Sequence, residues 1–135
     1  MTESKDNVRV IIRTRPFNKR EADLGDWDII EQSKEMGSVT ITKPDTKDMN
    51  GKLLDTKVKT TFTFDGSYAQ DSTQVEVFDE SVKPMIQFCM DGYNSTVFAY
   101  GQTGSGKTFT MMGYNGNRGM IPQGIQLVFD IIATA

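Results

Sequence analysis

Gly101, Gln102, Thr103, Gly104, Ser105, Gly106, Lys107 and Thr108 spell GxxxxGK[ST], a spacing whose chemistry is phosphate capture. Glycines let successive backbone N–H groups turn toward one centre with no Cβ in the way, making a concave nest of partial positive charge. A polyphosphate fits such a nest. A helix starting near Lys107 adds unpaired N–H groups at its first turn, the Lys107 ammonium reaches the β and γ phosphates, and the Thr108 hydroxyl is placed for Mg²⁺. Chance alone writes this pattern in a chain of this size on the order of once in a few hundred sequences.

Such a loop needs a strand before it and a helix after it. Residues 95–100 (STVFAY) are β-branched and aromatic and lie between Asp91-Gly92 and the glycines, so they are expected to form the preceding strand. Upstream, Thr73 to Glu76 has the spacing of a capping box. Val75, Phe78, Val82, Ile86 and Cys89 follow at intervals of three or four, which predicts a helix ended by Gly92 and interrupted at Pro84. Residues 8–12 (VRVII) are nearly all apolar, as for a central strand covered on both faces. Residues 39–42, the Asn50-Gly51 turn signal and residues 52–54 suggest a small antiparallel excursion. Val58, Thr60, Phe62 and Phe64 alternate with Lys57, Lys59, Thr61 and Thr63, the pattern of a half-buried strand closed by Asp65-Gly66. Residues 18–36 have no clear period and read as an irregular acidic connection. Residues 113–119 read as a glycine-rich loop.

Composition narrows the function. One core is expected of 135 residues, and 37% hydrophobic with 24% charged residues is the balance of a folded soluble domain. No apolar run approaches about 18 residues, so no membrane insertion is expected, and the N-terminal residues have no signal-peptide character. The single cysteine, Cys89, excludes an internal disulfide and fits a reducing compartment. With no histidine, a histidine general base is excluded and a structural zinc site has almost no ligands. A net charge of −3 gives no electrostatic case for nucleic acid, and the acids between Glu21 and Glu35 read as a solvated loop.

Leu127-Val128-Phe129-Asp130 has the look of an apolar strand ending in a metal-binding aspartate. Ile121, Ile125, Val128, Phe129 and Ile132 nevertheless recur at helical spacing, with Pro122 in the first turn, so a helix is expected and Asp130 is an ordinary solvent-facing acid. A P-loop NTPase normally draws its metal-supporting acid and its water-orienting group from elements after the P-loop helix. The stretch after Thr108 offers neither. On spacing alone the chain reads as the first part of a larger ATPase, with a non-hydrolysing nucleotide-binding module and a small-molecule P-loop kinase as the alternatives.

Residues 92–111, GYNSTVFAYGQTGSGKTFTM, closely resemble the nucleotide-binding segment of kinesin motor domains. RxRP (Arg13, Thr14, Arg15, Pro16), Phe62-Thr63-Phe64-Asp65 and Gly119-Met120-Ile121-Pro122 resemble the same family in the same order, so the likeness spans nearly the whole chain. The resemblance implies an α/β P-loop NTPase fold with a mostly parallel central sheet, helices on both faces and a small antiparallel lobe. Residues 1–135 would be the N-terminal part of a single motor domain, with no complete second domain. It further implies ATP and ADP as ligands, Mg²⁺ held through Thr108, Lys107 and Thr108 as the catalytic contributors from this stretch, and a microtubule-stimulated ATPase in the cytoplasm on the cytoskeleton. Microtubules would be bound through switch and tubulin-binding elements that follow these residues in the family. The RxRP corner is expected to contact adenine, with Phe109 packing on the base from the other side. Arg13 and Arg15, two apart, would project from one strand face beside Pro16. Without the resemblance, two arginines pairing with nearby acids at a strand end is the simpler reading. Phe109 stands where several members carry histidine or tyrosine. The shared motifs do not distinguish subfamily, direction of movement, cargo or oligomeric state.

Overall fold

β1 (Ile11–Arg13) takes a parallel partner from far along the chain, which a short β-branched run must do when its neighbour in sequence cannot turn back onto it. The computed structural model describes residues 8–25, 28–43, 46–47, 49–54 and 58–134, and Met1 to Asn7, Asp26 and Lys57 of the sequence reading lie outside them. The chain divides after Asp71 into two compact units.

In the first unit, β1 is followed by α1 (Lys19–Asp23), β2 (Ile30–Ser33), β3 (Ser38–Thr42), β4 (Thr46–Lys47), β5 (Leu53–Leu54), β6 (Lys59–Thr63) and β7 (Gly66–Tyr68). β1 and β7 pair in parallel, Ile11 opposite Gly66 and Arg13 opposite Tyr68. Asp65 fixes that register, because its carboxylate accepts from Val10 N at 2.7 Å and its own N–H donates to Val10 O at 2.9 Å. The antiparallel lobe is present as β2–β3–β6 with β3 central, and β4 pairs with β5 across the Asn50-Gly51 turn. Buried polar groups lock the lobe to β7: Ser67 Oγ donates to Ser38 O at 3.1 Å, and Gln32 Nε2 donates to Ser67 Oγ at 2.9 Å. Among the described residues of this unit, Val39 and Tyr68 are the buried hydrophobic side chains, each 3% exposed.

Three expectations for this unit are corrected. The strand expected at residues 8–12 is shorter and has one ladder partner, and Val8 and Val10 are exposed, because only β7 is available beside β1 among the described residues. β6 is exposed along its whole length rather than half-buried: alternation creates an apolar face, but Phe62 finds no element laid over it. Residues 18–36 are not irregular. They contain α1 and β2, and their polar sequence hides a helix whose stability is local, through its cap.

The second unit begins with α2 (Gln74–Val77), continues through a π-helical turn (Phe78–Val82) into α3 (Lys83–Met90), and carries α4 (Lys107–Met111), β8 (Gly113–Tyr114), β9 (Asn117–Arg118) and α5 (Met120–Thr134). Thr73 and Glu76 form the expected capping box, each side chain meeting the other's backbone N–H. Pro84 has no N–H to give to the preceding turn, and the π turn sits immediately ahead of it, with Lys83 N donating to Phe78 O. The wider turn shifts the helical phase. Val77, Phe78, Ser81 and Val82 are buried, while Val75 and Cys89 of the expected stripe are exposed. α3 ends in a Schellman motif: Gly92 has φ 95°, Tyr93 N donates to Phe88 O at 3.1 Å, and the two rings meet edge to face. α5 crosses closely at Gly124, where a Cβ would stand 3.0 Å from Ile86 Cδ1. Asp130 is exposed on α5 and accepts from Gln126, as an ordinary surface acid does.

Residues 95–100 join no sheet, contrary to expectation. A strand exists only through a neighbour's backbone, and no described segment lies alongside this one; Phe98 is 78% and Tyr100 96% exposed. The loop at 113–119 is instead a two-residue β-hairpin. Asn115 (φ 48°) and Gly116 (φ 85°) both take the positive φ of a type I′ turn.

Candidate functional site

The phosphate-loop residues occupy one continuous bend in the second unit, residues 101–105 exposed and Gly106 and Lys107 half-buried. Gly106, φ 98° and ψ 11°, is the N-cap of α4 and has no side chain to cap it, so the loop enters the helix through a left-handed residue that only glycine adopts cheaply. Thr110 N donates to Gly106 O at 2.9 Å, and Ser105 N donates to Gln102 O at 3.2 Å. A Cβ on Gly101 would come within 2.5 Å of Ser105 Oγ, so the hollow of the loop depends on glycine there. Lys107 folds its ammonium back over the hollow, donating to Gly101 O at 2.8 Å and Gln102 O at 2.7 Å. A cation is thereby held above a concave backbone, the arrangement that accepts a polyphosphate. Thr108 is exposed on the first turn of α4, and Phe109, 38% exposed, follows it. Gly101, Gln102, Thr103, Gly104, Ser105, Gly106, Lys107, Thr108 and Phe109 are thus brought together by one loop and one helical turn.

Arg13, Arg15 and Pro16 lie in the first unit. Arg13 is the last residue of β1, whereas Arg15 and Pro16 are past the strand. Arg15 forms a two-pronged pair with Glu21, Nη2 to Oε1 at 2.5 Å and Nη1 to Oε2 at 2.7 Å, and also reaches Pro16 O at 3.0 Å. Glu21 accepts in addition from Asn18 N, while Asn18 Oδ1 accepts from Glu21 N. The hydrogen bonds from the Arg15 guanidinium, then the one from the Asn18 amide, hold the Glu21 carboxyl down at about 2, and Glu21 in turn pushes Arg15 up. The capping box of Asn18 and Glu21 went unnoticed in the sequence, although Asn-x-x-Glu is a readable signal.

Gln74 was missed as well. It is buried at the start of α2, and its Nε2 donates to Phe109 O at 2.6 Å, a link across 35 positions that no local pattern announces. Among the described residues, no cluster of three or more Asp, Glu, Cys or His is placed to hold a metal, and no helix is long and apolar enough to cross a membrane.

An α/β chain with a GxxxxGK[ST] loop opening a helix falls in the P-loop class. The family model for the kinesin motor domain matches residues 13–135, and the chain belongs to that family. It is 36% identical over 135 residues to Kinesin-like protein KIF3C of Pongo abelii, Mus musculus and Rattus norvegicus, covering 98% of this chain and 16% of each relative. A solved structure of KIF14, residues 391–755, with ADP in complex with a microtubule superposes with a TM-score of 0.80 at 32% identity, covering 94% of this chain and 34% of that one. The chain therefore spans a minor part of the length of the relatives it matches, and its fold is that of the corresponding part of a kinesin motor.

Proposed function

We propose that these residues are the nucleotide-binding part of a microtubule-based motor that couples ATP hydrolysis to movement. The observation that carries the reading is the Lys107 ammonium seated over the glycine hollow immediately before Thr108, in a chain of the kinesin family. In this reading the backbone of residues 101–106 cradles the phosphates of ATP or ADP, and Lys107 exchanges its two carbonyl partners for phosphate oxygens. Thr108 offers its hydroxyl to Mg²⁺, which when bound neutralises phosphate charge. Phe109 packs against the base, and Arg13, Arg15 and Pro16 serve the adenine, with Glu21 holding the Arg15 guanidinium in place. Lys107 and Thr108 are the contributions from this stretch to catalysis. The partner is the microtubule and the setting the cytoplasmic cytoskeleton.

In the full chain, Lys107→Ala is expected to weaken Mg-ATP by about 1.5–3 kcal/mol, roughly tenfold to a hundredfold in Kd, the worth of a charge-assisted hydrogen bond. Calorimetric titration measures it, and an unchanged Kd removes the lysine from the phosphates. ATP turnover by the full chain with and without microtubules tests the motor. Stimulation supports it; turnover that needs a small-molecule acceptor, or none at all, overturns it.

A further inference from the structure

Gln74 is only 6% exposed, so its amide must be hydrogen-bonded to be tolerated, and it is spent on the nucleotide loop's helix. Its acceptor, Phe109 O, belongs to the residue after Thr108. α4 is five residues long and stops at Met111, and Gly113 already opens β8, so at the helix end Thr108 O and Phe109 O share one backbone donor, the Met112 N–H. The Gln74 side chain of α2 gives Phe109 O a second donor. Gln123 on α5 backs this arrangement, its Nε2 donating to Arg118 O at 2.8 Å and to Gln74 O at 3.3 Å. Two glutamine amides therefore tie together the start of α2, the end of α4, the last residue of the hairpin and α5.

We propose that Gln74 is a positioning residue for the nucleotide site. Its amide clamps the Phe109 carbonyl and so keeps α4, with Lys107 and Thr108 on it, from fraying, while Gln123 holds the clamp in register. In a helix this short, loss of one turn reaches Thr108, so the effect falls on nucleotide retention. The inference rests on the nucleotide-binding reading above.

Release of a fluorescent ADP analogue from the full chain, followed by stopped flow beside thermal unfolding, tests it. Gln74→Met is expected to release ADP about threefold to tenfold faster, the worth of one hydrogen bond. Gln74→Glu keeps the shape but loses the donor when ionised, and it should release at least as fast. Gln123→Met should act in the same direction, with the double variant smaller than the product of the two. Val77→Ala, a buried position on the same helix that touches none of these groups' hydrogen bonds, should lower the unfolding temperature and leave release unchanged. Wild-type release from both Gln74→Met and Gln123→Met, with Lys107→Ala still weakening nucleotide, overturns the clamp alone. Unchanged affinity in Lys107→Ala overturns the nucleotide reading beneath it. Should Gln74→Met not fold, Gln123→Met, at a half-buried position, carries the decision.

Discussion

Glu21 receives three hydrogen bonds, two from the Arg15 guanidinium and one from the Asn18 backbone, and each favours its ionised form. Its acidity is therefore stronger in the folded chain, about 2 against an ordinary 4.5. A depressed carboxylate contributes stability that is complete above its ordinary range and is lost as pH falls from about 4.5 toward 2. Glu21→Gln is expected to flatten the loss of thermal stability through that window, and unfolding temperatures measured between neutral pH and pH 2 check it. An unaltered acid profile would assign the loss to other carboxylates. Arg15→Lys should behave similarly, because an ammonium cannot make the two-pronged contact. The same four-residue signature was legible at Thr73 and Glu76 and missed at Asn18 and Glu21. The difference is physical: the first precedes an apolar helical stripe, while the second precedes Lys-Arg-Glu-Ala-Asp, whose helix buries nothing.

Elements differ in how their signals are stored. The capping box, the Gly92 stop and the helix over Leu127 to Asp130 were readable because each depends on residues within a turn or two of one another. The π turn was not: Pro84 announces an interruption, but a kink and a wider turn answer it equally well in sequence, and the wider turn found here has Phe78 and Val82 buried in it. Asn115-Gly116 carried the same hairpin signal as Asn50-Gly51 and was masked by its setting between two helical segments. Both Gly113 (φ 86°) and Gly116 (φ 85°) are left-handed, yet a Cβ at Gly116 meets open space, whereas one at Gly113 lands on the backbone of Asn117 and Gly119. Gly113→Ala is expected to cost more than Gly116→Ala, which should lose about 1 kcal/mol. Denaturant titration of the two variants gives the comparison, and equal losses would mean the hairpin backbone yields freely. Thr73→Ala should cost about 0.5–2 kcal/mol through its cap.

At the scale of the molecule, the spacing of Ile121, Ile125, Phe129 and Ile132 predicted an apolar helix face, and all four are exposed, from 42% to 64%. An apolar hollow of about 470 Å³, lined by Val82, Ile86, Val97, Met111 and Ile125 among others, lies open nearby. Contiguous exposed apolar surface drives association. A polypeptide limited to residues 1–135 is expected to self-associate with rising concentration in analytical ultracentrifugation and to lack microtubule-stimulated ATP turnover. Phe129→Ser should shift it toward monomer, and an unshifted distribution would place the contact elsewhere. The glycine loop opening into α4 at Lys107 was legible because its signal is local. That residues 95–100 join no sheet was not legible, since a strand's identity lies in its neighbours; nor was Gln74, whose partner is distant in sequence.

The hairpin between α4 and α5 has a mechanical meaning. An uninterrupted helix from Lys107 to Thr134 would act as one stiff strut, passing any twist at its first turn straight to its far end. Here the strut is cut, and the cut is bridged by Gly119 N donating to Met112 O at 3.2 Å. Such a joint lets the two rods rotate against each other only as far as this bond, the β8–β9 pair and the Gln123 bond to Arg118 O give way. The stiffness of the joint is thus set by a few hydrogen bonds that one substitution can tune.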